Sequence, residues 1–296
     1  MYCANVYRDG LSEYSVGKAV RGRRDQFVIA TKVGSSALPG PNGGGLSRKS
    51  ILRDLESSLR RFQMDYIDLY LCHFPDVDTT LEETLATFDS IVQQGKVRYV
   101  GCCNYPAWQL SEALCISRQN NITQFVCCQM LYNLLDRRIE DELLPLCANK
   151  KIGVTAYATT AIGLLSGQFR FGQAPPEGSP WYRGPYNYRA IMTRQTDRAI
   201  QTMIDIARER GRPPIQAAIA WCLSHSEISS VIIGADTPEQ VEEDFGALDW
   251  KLSPDERIRL DAVTEGMRQS IRKDAPEGYK ADEPWGEESD AQPPTK

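Results

Sequence analysis

Histidine is nearly missing from this 296-residue chain, which has only His73 and His225. There is no Cys-x-x-Cys pair either, and that combination argues against a zinc site. No run of about 18 apolar residues occurs, so no membrane span is expected. The polar character of the first residues leaves no visible secretory signal. An excess of positive charge is also lacking: 34 basic against 39 acidic residues give a net charge of −5. That balance argues against nucleic acid or an anionic membrane as the main partner. Nine cysteines without a signal peptide imply a reducing, cytoplasmic compartment. Cys102-Cys103 and Cys127-Cys128 are adjacent pairs in strand-like runs. Strand neighbours point to opposite faces, so neither pair forms a metal clamp. Asn121-Ile122-Thr123 has the spacing of a glycosylation acceptor, which is inert in such a compartment. No internal repeat is present.

What remains is an ordinary globular composition, 42% apolar, in which short apolar runs alternate with amphipathic segments. The runs at 27–32, 66–72, 97–103, 125–130, 152–158 and 229–234 read as strands buried on both faces, rich in Val, Ile and Tyr. Helices are expected between them. Ser47 can cap a helix that carries Leu52, Leu55, Leu59 and Phe62 on one side. Thr80 with Glu83 forms a capping-box pattern ahead of Leu85, Phe88 and Val92, and Ser253-Pro254 with Glu256 forms another. Further helices are expected near 12–21, 107–118, 139–149, 195–211, 214–224 and 238–246. Strands alternating with helices predict a parallel sheet with right-handed crossovers, in one domain over 1–273. Two long loops interrupt the rhythm: Gly34 to Leu46, and Gln168 to Arg189 with Trp181, Tyr182, Tyr186 and Tyr188. The aromatic loop fits either a ligand clamp or simple packing on the rim of the fold. The charged, Pro-rich tail over 274–296 reads as disordered.

Three residues stand where carbonyl chemistry needs them. Lys32 ends the first apolar run and His73 follows the second, while Tyr7 lies in Ala4-Asn5-Val6-Tyr7-Arg8-Asp9-Gly10. Hydride addition to a carbonyl makes an alkoxide, which must be protonated or stabilised as it forms. Water holds a phenol near pKa 10, and a neighbouring ammonium favours the phenolate, which eases proton release. An imidazole can donate to the same oxygen. Each residue also has a plain structural reading: a packed tyrosine, a solvated lysine, a satisfied histidine. Their shared strand-end placement favours one site, since the ends of parallel barrel strands converge on one face.

The segment around Tyr7 resembles the Asp-Thr-Ala-x-x-Tyr-Gly-x-x-x-Ser-Glu signature of aldo-keto reductases. The resemblance continues through Ala30-Thr31-Lys32, Leu71-Cys72-His73-Phe74-Pro75-Asp76, Gly95 to Asn104, Gln129-Met130-Leu131-Tyr132-Asn133 and Ile233 to Gln240. It covers nearly everything from Cys3 to Met267. It implies a (β/α)8 TIM barrel that reduces aldehydes or ketones with NADPH, using an Asp-Tyr-Lys-His tetrad. By position it implies Tyr7 as proton donor, Lys32 as its activator and His73 as the group orienting a small-molecule carbonyl. Cys103, Asn104 and Gln129 correspond to residues around the nicotinamide carboxamide, and Tyr157 to the aromatic residue stacked on that ring. Gly163, Leu165 and Gly167 match the loop near the pyrophosphate. Gly234, Gln240 and Asp244 fall in the adenosine segment, although Thr237 to Gln240 is also a capping box in its own right.

The departures are specific. The family aspartate aligns with Tyr2, so Lys32 loses its usual partner. Arg8 follows the tyrosine in place of glycine, and Ala158-Thr159-Thr160 replaces Ser-Pro-Leu. Asp236 and Asp244 bring negative charge to where a 2′-phosphate would lie, so NAD stands beside NADP as a candidate. The family's first strand, first helix and most of its second strand have no counterpart here. That reads as an N-terminally truncated barrel, expected to expose sheet edges. Two further functions fit some of these residues. One is a noncatalytic NAD(P)H-binding or regulatory subunit, and the other a lyase with a Schiff base at Lys32. Substrate identity and oligomeric state have no readable signal.

Overall fold

A computed structural model describes residues 1–40, 42–183 and 186–267 of the chain. The tail expected over 274–296 lies outside the described residues. The chain divides into two compact units. The first comprises Met1–Met130, Ile139–Thr155 and Glu227–Ser230. The second comprises Leu131–Arg138, Ala156–Ser226 and Val231–Lys296.

The strands are β1 (Ala30–Val33), β2 (Ile67–Cys72), β3 (Val97–Cys103), β4 (Phe125–Leu131), β5 (Gly153–Tyr157) and β6 (Ile228–Val231), hydrogen-bonded in sequence order. Parallel order without strand swaps is what right-handed crossovers produce. The register matters for function. Lys32 pairs with Leu71, Cys72 with Cys102, and Cys103 with Gln129. The ladder therefore brings Lys32, His73, Asn104 and Gln129 to neighbouring strand ends. Two further bonds extend it, from His73 N to Val33 O at 2.7 Å and from Asn104 N to Gln129 O at 3.1 Å.

The first unit wraps this sheet with α1 (Leu11–Ala19), α2 (Arg48–Phe62), α3 (Leu81–Gln93), α4 (Ala107–Gln119) and α5 (Leu143–Lys150). Ser47 caps α2 by accepting from Ser50 N. Its buried stripe is Ile51, Leu55, Leu59 and Phe62; the expected Leu52 lies on the flank, because the 4-4-3 spacing centres on Ile51. On α3 the same shift buries Ile91 in place of Val92. Thr80 accepts from Glu83 N, but the box is half closed, because Glu83 Oε1 accepts from Arg48 N at 2.8 Å instead.

Two expected elements begin late. The strand foreseen from residue 27 starts at Ala30. Val28 is 64% exposed, and Ile29 N donates to the Asp68 carboxylate at 2.7 Å, so a side chain takes the place of a ladder partner. The helix foreseen over 139–149 is a 3-10 turn (Arg138–Glu140) followed by α5. Pro145 explains the break: its ring would collide with the Asp141 carbonyl in a continuous helix, and in the first turn of α5 it costs no bond.

Gly101 marks the closest approach in the sheet. A β-carbon there would lie 2.4 Å from Cys127 O and 2.7 Å from Leu71 Cδ2. The β3–β4 register shifts between Val100 and Gly101.

The second unit contains short helices α6 (Pro180–Arg183) and α7 (Tyr188–Ile191), then α8 (Arg194–Glu209), α9 (Pro214–Leu223), α10 (Pro238–Phe245) and α11 (Pro254–Val263). Helix α8 packs on α9 and α11, with α10 against α9. Ser253 and Glu256 form the full capping box expected for α11. The aromatic loop resolves toward packing at two positions. Trp181 is fully buried with Nε1 donating to Ile162 O at 2.8 Å, and Tyr188 is fully buried with its hydroxyl donating to Arg170 O at 3.2 Å.

No helix among the described residues is long and apolar enough to cross a membrane. All nine cysteines are free, and no cluster of metal-ligating side chains occurs among the described residues. Cys102 and Cys103 do point to opposite faces. Cys102 Sγ meets Cys128 Sγ at 3.8 Å, whereas Cys103 Sγ meets Gln129 Oε1 at 3.8 Å.

Candidate active site

Met1 to Asn5 runs alongside β1. Cys3 N donates to Ala30 O at 2.8 Å and Asn5 N to Lys32 O at 3.2 Å. This places Tyr7 beside Lys32. The turn that follows, Tyr7–Gly10, holds Arg8 and Asp9 at φ 50° and 57°, and Tyr7 is 42% exposed. Lys32 is 3% exposed. Its Nζ donates to Cys3 O at 2.9 Å and to Tyr7 Oη at 3.5 Å, and it lies 5.0 Å from the Tyr7 ring centre. Burial lowers the pKa of this ammonium; the nearby thiols of Cys103 and Cys3 oppose the shift.

The residue aligned with the family aspartate does something else. The Tyr2 ring packs on Ala30, Leu69, Leu71 and Cys127, with its hydroxyl 3.2 Å from Thr155 Oγ1. Burial raises its pKa. Lys32 accordingly has no carboxylate partner among the described residues, and a peptide carbonyl serves as its near acceptor.

His73 is 8% exposed and sits edge-on to Tyr7, with ring centres 5.8 Å apart. Phe74 stacks on its other side at 4.7 Å. Burial, and then the charge of Lys32, lower its pKa to about 4, so the ring is neutral at neutral pH. Its Nδ1 lies 2.9 Å from Ser35 Oγ. When that hydroxyl donates, Nδ1 is the acceptor and Nε2 carries the proton. Sequence reasoning missed Ser35: a serine in a Gly-rich loop carries no periodic or motif signal.

The strand ends beside this trio hold a connected set of polar groups. Asn104, with φ 63°, donates from Nδ2 to His73 O at 3.0 Å and to Cys103 Sγ at 3.1 Å. Gln129 is 2% exposed, and its buried Nε2 has no protein acceptor. A buried donor in that state is costly unless something supplies an acceptor.

In the second unit, Gly163 and Gly167 flank the 3-10 turn Leu164–Ser166 at φ 82° and 87°, a conformation that suits glycine. Gly163, Gly234, Gln240 and Asp244 line one cavity of about 620 Å³, together with Thr160 and Ser166. Tyr157, Leu165 and Gly167 are not part of its wall. Leu165 is fully buried, so only its backbone could meet a ligand, and its N–H already donates to Thr160 O at 3.2 Å. Thr237 caps α10 through Gln240 N, while Gln240 Oε1 accepts from Asp236 N at 2.7 Å. The capping box thus closes one residue early.

Comparison with known proteins identifies the family. The family model described as "Aldo/keto reductase family" matches residues 2–265. A probable voltage-gated potassium channel subunit beta of Arabidopsis thaliana is 34% identical over 287 residues, covering 94% of this chain and 85% of the relative. A protein of the same description from Oryza sativa subsp. japonica is 35% identical over 272 residues, covering 88% and 82%. The L-glyceraldehyde 3-phosphate reductase of Escherichia coli (strain K12) is 33% identical over 248 residues, covering 81% and 71%. The six-stranded α/β fold accords with the (β/α)8 barrel that the sequence implied. The chain belongs to the aldo/keto reductase family of oxidoreductases.

Proposed function

We propose that the chain reduces an aldehyde or ketone to an alcohol, using Tyr7, Lys32 and His73. The observation that carries this reading is the contact set at the strand ends: a half-exposed phenol 3.5 Å from a buried ammonium, edge-on to a neutral imidazole. A nicotinamide dinucleotide is the cofactor that family membership supports. The residues present fit such a group. The partnerless Gln129 Nε2 is a donor suited to a carboxamide oxygen, with Asn104 and Cys103 beside it. Gly163 faces the cavity with no side chain to obstruct a pyrophosphate, and Ser166 beside it on the wall has a hydroxyl. Tyr157 would stack on the nicotinamide, and Gly234, Gln240 and Asp244 would hold the adenosine end. When bound, the reduced nicotinamide supplies the hydride.

The side chains do the rest. A substrate carbonyl oxygen accepts from Tyr7 Oη and from the protonated Nε2 of His73, which fixes its direction. As charge develops on that oxygen, the phenol proton passes to it. Lys32 stabilises the phenolate left behind; with no carboxylate to neutralise it, its charge acts directly on Tyr7. Ser35 is a positioning residue that works through His73. Ser35→Ala is expected to lower kcat/KM roughly tenfold, mostly in kcat, with cofactor affinity unchanged. Ser35→Thr should restore most of it, and an Ala variant with parental kcat would remove Ser35 from the reaction.

The direct test follows oxidation of NADH and NADPH by the purified chain with a panel of aliphatic and aromatic aldehydes. Turnover is expected on at least one. Tight cofactor binding with no turnover on any would favour a second reading, a noncatalytic nucleotide-binding subunit. That reading draws on the tyrosine at position 2 and on relatives described as potassium channel subunits beta.

A further inference from the structure

The cavity in the second unit has an unusual balance of charge. Asp236, Glu243 and Asp244 line it, and among the described residues its wall contains no lysine, arginine or histidine. Asp244, in the last turn of α10, is 5% exposed, and among the described residues its carboxylate makes no hydrogen bond or ion pair. Burial, and then the neighbouring Glu243, raise its pKa to about 6, so it is ionised at neutral pH. The two arginines that adjoin wall residues Phe169 and Pro213 in sequence are engaged elsewhere: Arg170 donates to the Asp197 carboxylate at 2.7 Å and Arg212 to Gly246 O at 2.8 Å. A buried carboxylate facing a cavity requires donors from whatever fills that space.

The rest of the wall describes the occupant. Ile215, Ile232 and Ile233 give apolar surface for a flat ring, and Thr160, Ser166 and Gln240 supply polar contacts. At about 620 Å³ the cavity is within the usual range for a small-molecule site. A ribose with free 2′- and 3′-hydroxyls offers paired O–H donors, which match the two oxygens of a carboxylate. A 2′-phosphate would place further negative charge against three carboxylates, with no cation among the described wall residues to offset it.

We infer that this cavity takes the adenosine half of a dinucleotide whose ribose keeps both hydroxyls, so the chain binds NADH in preference to NADPH. The inference rests on the reductase reading above and sharpens its cofactor.

The test is a binding titration of the full chain with each reduced dinucleotide, read by calorimetry and by nicotinamide fluorescence, without substrate. The dissociation constant for NADH is expected to be at least tenfold below that for NADPH. Asp244→Asn should weaken NADH binding several-fold. Asp236→Arg changes an exposed position and leaves the Asp236 backbone bond to Gln240 in place. It should tighten NADPH binding about tenfold. NADPH bound as tightly as NADH, or tighter, by the parent chain overturns the preference and leaves the dinucleotide reading intact. Binding of neither overturns both.

Discussion

Tyr7→Phe is expected to lower kcat by about a thousandfold while leaving the affinity for the reduced dinucleotide within a factor of two. The change removes one oxygen and keeps the ring, so the edge contact with His73 and the Lys32 Nζ position 5.0 Å from the ring centre survive. What goes is the proton donor. His73 does not replace it, because a neutral imidazole's ring proton is far less acidic than a phenol, and the Lys32 ammonium is held by the Cys3 carbonyl at 2.9 Å. Single-turnover kinetics, with cofactor fluorescence for binding, separate the two effects. A variant within tenfold of the parental kcat would show that another group protonates the product. One that also failed to bind the dinucleotide would point to a structural role for Tyr7.

Gly101→Ala is expected to cost the strand ladder much of its stability. Its β-carbon would enter the sheet 2.4 Å from a backbone oxygen, Cys127 O, and such an atom cannot swing aside as a side chain can. The ladder between β3 and β4 would have to separate at the point where its register already shifts. Overpacking against a backbone atom costs about 3 kcal/mol, the upper end of the usual range. For a chain of this size that amounts to a drop of roughly 6–12 °C in Tm. Urea and thermal melts check it. A Tm within 1–2 °C of the parent (a shift of roughly half a kcal/mol) would mean that the strands accept a methyl group there and that their spacing is wider than described. The same displacement would move Cys103 and Asn104, so the variant should also bind the dinucleotide more weakly.

Much of the fold could be read from the sequence because its signals are local. Residues Val97 to Cys103 form an apolar, β-branched run bounded by Gly95 and by the turn at Asn104, and the strand has those limits. Ser253, Pro254 and Glu256 define a helix start by chemistry within four residues, and the box is there. The misses were tertiary. Nothing near Ile29 announces that Asp68, thirty-nine residues later, will take its N–H and delay β1. Glu83 reads as the closing half of a capping box until Arg48 N competes for it. At the proposed site, the neighbourhood of Tyr7, Lys32 and His73 was legible because strand ends and a family signature mark them. Ser35 was not, since its part depends on a loop returning to His73, nor was the Cys3 carbonyl, since every residue has one.

That carbonyl has a consequence for how this site can vary. A side-chain carboxylate beside a lysine can be deleted or exchanged by one codon change, and its ionisation depends on pH. The acceptor 2.9 Å from Lys32 Nζ belongs to the main chain. It cannot be protonated in the working pH range, and no substitution at position 3 removes it. Its effect on Lys32 depends only on where the segment beside β1 lies, which is set by bonds such as Cys3 N to Ala30 O. Adjustment of the lysine, and through it of the phenol, is thereby left to small movements of one strand.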